Sequence, residues 1–396
     1  MSTWKNARLD NCCKIVGGAT PSTSVDAYWS GDICWVTPKN LSDLSAAFIS
    51  DTPRKLTQAG LDACAASILP PGSVLFSSRA PIGLVAINTV PMATNQGLKS
   101  FVPKPERVHG KFLYWWLRSN RSYLEQLGNG ATFKEVSKTV VSRIEIPLPP
   151  LAEQRRIANV LDRAEALRAK RRAALAQLDT LTQSIFLDLF GDPASKGWPM
   201  TTIAQIAQNG SIRTGPFGSQ LLHSEFVDKG VAVLGIDNAV ANEFRWGKPR
   251  FIPQEKYREL ERYTVRPGDV LITIMGTCGR CVVVPDDVPL AINTKHLCCI
   301  TLAPDKCLPV FLHAYFLRHP LARRYLDQAA KGAIMNGLNM GIIKSMPIPL
   351  PPVQLQQDFA RRVAAVEELK ATCRTSLSEL DALFNALQYR AFRGEL

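Results

Sequence analysis

Four cysteines, Cys278-x-x-Cys281 followed by Cys298-Cys299, come near the spacing at which thiolates close around a zinc ion. A set of that kind would make a structural metal site. The chain is a tandem duplication, however, and its first copy has Ile82, Val85, Ser100 and Phe101 at the matching positions. Cys281 and Cys298 also lie in apolar runs, so the expectation is small buried hydrophobes and no bound metal. Gly215-Pro216-Phe217-Gly218-Ser219 has the glycines of a phosphate cradle but lacks the Gly-Lys-Ser/Thr ending of a nucleotide loop, and reads as a turn. There is no Walker loop, no Gly-x-Gly-x-x-Gly turn, no His-Glu-x-x-His and no Gly-x-Ser-x-Gly elbow, and the five histidines form no familiar constellation. The sequence predicts no catalytic centre and no cofactor in this chain.

The chemistry that remains is recognition of a polyanion. Lys and Arg outnumber Asp and Glu by 47 to 34, a net charge of +13, and the surplus sits chiefly in two non-helical blocks. Charge alone does not separate DNA from RNA or an anionic membrane surface. Bases are read by side chains that form paired hydrogen bonds, mainly Arg or Lys to guanine and Asn or Gln to adenine, while other cations and hydroxyls hold phosphates. Candidates are therefore polar residues on loops beside strands. In the first block these are Thr20, Ser22, Arg79, Asn95, Gln96, Lys99, Thr132 and Lys134; in the second they are Arg213, Ser219, Gln220, Arg280, Asn293, Lys295, His296 and Asn336. Arg79 and Pro81 face Met275 and Thr277 across the repeat, so the two blocks are expected to read different sequences. Tyr114-Trp115-Trp116 and Tyr315-Phe316 could stack on bases, but they lie in helical segments with repeat-matched apolar neighbours and are expected to pack in the core.

These loops need a framework, and the repeat supplies it. Ile-Pro-Leu-Pro-Pro occurs at Ile146 to Pro150 and again at Ile348 to Pro352. From Gly130 onward the halves align without a gap, through Glu165 against Glu367 and Asp179 against Asp381. Upstream, Pro71-Gly72 faces Pro267-Gly268, Trp115-Trp116-Leu117-Arg118 faces Tyr315-Phe316-Leu317-Arg318, and Asn95 faces Asn293. After each pentapeptide, apolar residues recur alternately at three and four residues, the pattern of a coiled-coil seam. The first stripe is Ile157, Val160, Ala164, Leu167, Leu178, Leu181 and Ile185; the second is Phe359, Val366, Leu369, Leu380, Leu383 and Leu387. The helices are expected to pack on each other antiparallel, with a pseudo-two-fold axis relating the halves. Leu161, Leu175, Val363 and Leu377 would be left facing outward for a partner. From Leu151 to Phe190 such a rod rises on the order of 60 Å, or roughly 17 base pairs of B-form DNA. Short strand-like runs (Ser73 to Phe76, Leu84 to Ile87, Val270 to Ile274, Cys281 to Val284) precede helical stretches at Lys111 to Leu127 and Val310 to Ala329, so each block should be α+β. The expected organisation is blocks at 1–146 and 194–346 with helical spacers at 147–193 and 347–396.

With these residues in view, the whole chain resembles the DNA-specificity subunits of type I restriction-modification systems. The strongest likenesses are Ile146 to Ile157, Leu187 to Pro193 and the terminal Ala391-Phe392-Arg393-Gly394-Glu395-Leu396. Pro71-Gly72, Ser78 to Gly83 and Thr214 to Ser219 look like parts of that family's target recognition domains. The resemblance implies that each block reads one half of a split site on double-stranded DNA while the helices set the unread gap and dock two adenine methyltransferase subunits. It implies no chemistry in this chain: S-adenosylmethionine, ATP and Mg would belong to the methyltransferase and motor-nuclease partners. The second helix opens Val353-Gln354-Leu355-Gln356-Gln357 where the first has Leu151-Ala152-Glu153-Gln154-Arg155, which leaves open whether the two methyltransferase contacts are equivalent.

The alternatives are a specificity subunit of a methylation-only system, an RNA-binding scaffold, or a hydrolase of unfamiliar type. Ten cysteines at irregular spacing with no export signal read as reduced thiols, and no apolar run reaches membrane length, so a cytoplasmic protein with no membrane partner is expected.

Overall fold

The computed structural model describes residues 4–396 except 45, 80, 131–133 and 332–337. Two compact units emerge: residues 1–172 with 375–396, and residues 173–374. Both are α+β. The first long helix, Leu151–Phe190, and the second, Val353–Ala391, are unbroken, so each unit holds one end of each.

In the first unit a five-stranded sheet runs in the order Cys13–Gly17, Leu98–Pro103, Val74–Ser77, Val85–Asn88, Phe48–Ile49, beside a three-stranded sheet of Lys55–Leu56, Trp29–Val36 and Met92–Thr94. The second unit repeats the scheme with Ala207–Thr214, Leu297–Leu302, Val270–Thr273 and Cys281–Val283 in one sheet. Phe251–Ile252, Val231–Leu234, Ala291–Asn293 and Thr264–Val265 form the other. Sheet cores are apolar on both faces because helices and the partner sheet cover them: Val74 to Phe76 and Val270 to Ile272 are fully buried. The aromatic helices Gly110–Ser119 and Pro309–Arg318 end sooner than their periodicity suggests, each followed by a second helix beginning at Arg121 or Pro320. Trp115, Trp116, Tyr315 and Phe316 are all buried there. Their main-chain hydrogen bonds, Asn120 N to Trp116 O and His319 N to Tyr315 O, make Trp116 the counterpart of Tyr315. This corrects the sequence match by one residue and pairs Trp115 with Ala314.

The repeated pentapeptide begins as a strand. Ile146 pairs with Ala7 and Ile348 with Thr201, so a two-stranded ribbon closes the entrance of each block onto its exit. The following prolines break the ladder and the helix starts at once. Gln154 and Gln356, both fully buried, then lock helix to block. Gln154 Nε2 donates to Arg107 O at 3.0 Å and Pro149 O at 2.8 Å, and Oε1 accepts from His109 N at 2.8 Å. Gln356 repeats this with Lys306 O, Pro351 O and Leu308 N.

Within each unit the two helix ends run antiparallel. In the first, Arg156 reaches Leu396 O and Arg168 reaches Asp381 at 2.6 Å; in the second, Lys370 reaches Asp179 at 2.9 Å and Phe359 packs on Phe186 and Phe190. Ile157, Phe359 and Val366 are buried, and Val160, Ala164, Leu178, Ile185, Leu380 and Leu387 are half-buried. The stripe needs correction at its alternate positions. Leu167, Leu181, Leu369 and Leu383 are 52%, 43%, 56% and 52% exposed, whereas Leu161, expected outside, is fully buried. Val363 packs against the core of the second unit, and Leu175 and Leu377 are half-buried.

The physical reason is that the buried face advances by four residues where the sequence suggested three, which places Arg168, Thr182, Lys370 and Phe384 inward. Three of those are polar, so hydrophobicity pointed to the leucines one residue earlier. The charges are accommodated as matched triads. Arg168 bridges Glu165 on its own helix and Asp381 on the other, with its guanidinium 4.2 Å from the Phe384 ring centre. Lys370 bridges Glu367 and Asp179. Burial would lower the Lys370 amine, but hydrogen bonds to the two carboxylates outweigh it and hold the pKa above its ordinary value, so the side chain stays charged.

Candidate nucleic-acid interface

In each block the strand of the Pro-Gly hairpin and its neighbour end together, Ser77 opposite Leu98 and Thr273 opposite Leu297. Loops from distant parts of the chain gather at this end. Ser78 N donates to Gly97 O, and Val136 N to Ser78 O; the second block repeats both with Ile274 N to His296 O and Leu338 N to Ile274 O. Asn95 N donates to Val36 O and Thr294 N to Leu234 O, so Asn95 corresponds to Thr294 and not to Asn293. Gly18 and Gly215 approach the backbone of Thr94–Asn95 and Asn293–Thr294 so closely that a Cβ at either would overlap a carbonyl oxygen. That close approach, and not a phosphate, accounts for the first glycine of the 215–219 turn.

The first block brings five candidates together. Thr20 Oγ1 donates to the Gln96 amide oxygen, and Asn95 Oδ1 accepts from Gly97 N at 3.0 Å. Arg79 Nε and Lys99 Nζ converge on Glu135 at 2.8 and 3.2 Å. Burial alone would raise the Glu135 carboxyl, but hydrogen bonds and charge from Arg79 and Lys99 outweigh it and hold it below its ordinary range. Glu135 orients both cations and lowers the net charge of the cluster; the sequence held no signal for it, because it arrives from a loop 56 residues beyond Arg79. Lys134 is exposed beside it, and Ser22 is exposed and bonded to Ser24. Thr132 and Asn336 lie outside the described residues.

At the matching end of the second block stand Met275, 42% exposed, then Arg280, Lys295 and His296. Burial, followed by the charges of Lys295 and Arg250, holds the His296 imidazole below its ordinary value, so it is neutral at pH 7 and can donate or accept. Ser219 is exposed on its turn.

Three further candidates are engaged by groups of the block itself. Arg213 turns inward, pairing with buried Asp269 at 2.9 Å and reaching Thr301 and Thr264 O. A lone arginine on a strand-like segment gave no hint of that partner. Asn293 is fully buried, its amide donating to Leu297 O at 2.9 Å. Gln220 Oε1 is engaged by Phe217 N and the Tyr263 hydroxyl. Cys281, Cys298 and Cys299 are buried sheet residues whose thiols burial pushes up, Cys298 to about 12. No group of three or more His, Cys, Asp or Glu side chains among the described residues is arranged to hold a metal, and no helix among them is long and apolar enough to cross a membrane.

Comparison with known proteins gives a consistent result. A family model described as the type I restriction modification DNA specificity domain matches residues 1–177 and 253–381. The chain is 35% identical over 191 residues to the type I restriction enzyme MjaIX specificity subunit of Methanocaldococcus jannaschii, a match spanning 48% of this chain and 44% of that protein, less than half its length. It is 25% identical over 341 residues to the EcoBI specificity subunit of Escherichia coli, covering 77% and 70% of the two chains. Among solved structures, a chain from work on the complex assembly and conformational transition of the type I R-M system superposes with a TM-score of 0.61 at 20% identity, over 99% of this chain and 98% of that one. The type I S subunit of M. genitalium gives 0.59 at 14% identity, over 98% and 96%. At these identities the structural matches establish the fold.

Proposed function

Because the chain belongs to the type I restriction-modification DNA specificity family, and as a specificity subunit is a recognition component and not an enzyme, we propose that its two blocks read the two halves of a bipartite DNA site while the paired helices fix the gap. The observation that carries this reading is the contrast between like-built loop ends. Where the first block presents Arg79 and Lys99 on Glu135 with Gln96 beside them, the second has Met275 and Lys295 at the positions of Arg79 and Gln96, His296 at that of Gly97, and buried Cys298 at that of Lys99. A framework held constant while its polar side chains change is what two readers of different half-sites require.

The long helices are also the proposed docking surface for two methyltransferase subunits. The exposed Leu167 and Leu383 of the first unit, and Leu181 and Leu369 of the second, left over once the seam is filled, are the apolar positions such partners would cover. S-adenosylmethionine, ATP and Mg are assigned to the methyltransferase and motor-nuclease subunits, which would carry base flipping and methyl transfer. The test is genome-wide mapping of methylated bases in cells carrying this chain with its methyltransferase. A split motif with an unread centre is expected, and Arg79→Ala should relax one half only. A contiguous motif, or equal loss at both halves, would contradict the reading.

A further inference from the structure

The duplication provides an internal control for one buried site. Leu113 N bonds to His109 O and Leu312 N to Leu308 O, while His109 N and Leu308 N each bond to the matching glutamine; this register pairs Trp115 with Ala314. In the first unit the Trp115 indole is 2% exposed, edge-on to Phe384 at 5.6 Å, and its Nε1 donates to Asp162 Oδ1 at 2.8 Å. In the second unit every one of these groups is smaller. Thr182, three residues past triad member Asp179, stands where Phe384 stands three past Asp381, and Ala364 replaces Asp162. Phe359, at the position of Ile157, takes back part of the volume, yet a cleft of about 590 Å³ remains between the aromatic helix and the two long helices, wholly within this unit.

The charges around the cleft do not cancel. Lys370 is engaged by Asp179 and Glu367, and Arg374 lies 3.7 Å from Glu243. Arg318 feels the charges of Asp179 and Glu367 but donates no hydrogen bond among the described residues, and the Arg323 guanidinium reaches only Leu317 O. Four cations thus face three carboxylates, a surplus of one positive charge, and the Arg318 guanidinium keeps its donors free at a slot whose counterpart holds an indole.

We propose that this cleft is a ligand site for a small planar aromatic compound bearing an acidic group, the ring lying where the duplicate carries Trp115 and the acid meeting Arg318. None of the DNA-contact candidates lines the cleft, so its test does not depend on them. Isothermal titration of the intact chain with indole-3-acetate, indole and tryptamine should give that order of affinity. Arg318→Gln should weaken indole-3-acetate by about tenfold, to the level of indole, since a charge-assisted contact is lost. The double variant Ala314→Trp/Thr182→Phe, which writes the first unit's solution into the second, should abolish binding of all three. No binding of any probe to the folded wild-type chain would overturn the proposal, as would undiminished binding in the filled variant. If the filled variant fails to fold, an Arg318→Gln chain that binds indole-3-acetate like wild type is by itself contradictory.

Discussion

Replacing Gln154 by Leu keeps side-chain bulk at a fully buried position but removes three hydrogen bonds, of 2.8, 3.0 and 2.8 Å, from the junction between the first block and its helix. His109 N and the carbonyls of Arg107 and Pro149 are left without that partner. At about 1 kcal/mol for each buried group deprived of its bond, the loss is about 3 kcal/mol. In a unit of roughly 200 residues, where 1 kcal/mol moves the melting temperature by about 2–4 °C, the first unit's transition should fall by about 6–12 °C. Gln356→Leu removes the same three contacts from the other junction and should act on the second unit by a similar amount. The sites share no partner, so the double variant should combine the single losses to within about 0.5 kcal/mol. Differential scanning calorimetry with urea titration reads all three variants. Shifts below about 2 °C in either single variant would refute the reasoning, because they would mean that water or a neighbour satisfies these groups as well as the glutamine does.

The corrected helix faces make a paired prediction: Leu161→Ala, emptying a fully buried position, should cost about 2–5 kcal/mol, whereas Leu167→Lys and Leu369→Lys on exposed positions should stay within about 0.5 kcal/mol. The reverse ranking in urea denaturation would restore the seam suggested by the leucines. Glu135 makes a pH prediction. Its folded-state carboxyl titrates below the ordinary 4.5, so its contribution is present above that value and lost as pH falls through the depressed one. The stability difference between wild type and Glu135→Gln should therefore be constant near neutrality and shrink on acidification below about pH 4.5; a difference that grows there would show that the carboxyl is not held by Arg79 and Lys99.

Much of this architecture was legible because it is written twice. The pentapeptide, the matched Glu165 and Glu367, and the helical periodicity all survive translation into coordinates, since local geometry and repeat spacing are sequence properties. What failed was whatever depended on a distant partner. The seam stripe slipped by one position because Arg168 and Lys370 are inside only when Asp381 and Asp179 come to meet them. Arg213 looked like a free cation because Asp269, which neutralises it, lies on another strand. Glu135 was missed for the same reason: the two cations it aims, Arg79 and Lys99, lie 56 and 36 residues away in the sequence. The register of Asn95 and of the aromatic helices shifted by one residue because hydrogen-bonded equivalence follows backbone, while the sequence match followed side-chain likeness.

The central claim, that the paired helices measure the separation between two reading blocks, is tested most directly by adding one heptad to each long helix near its middle, in phase, and mapping methylated sites in cells. Seven residues rise on the order of 10 Å, about three base pairs. The account predicts unchanged half-sites separated by a gap about three base pairs longer. Unchanged spacing, or new half-sites at the old spacing, would contradict it.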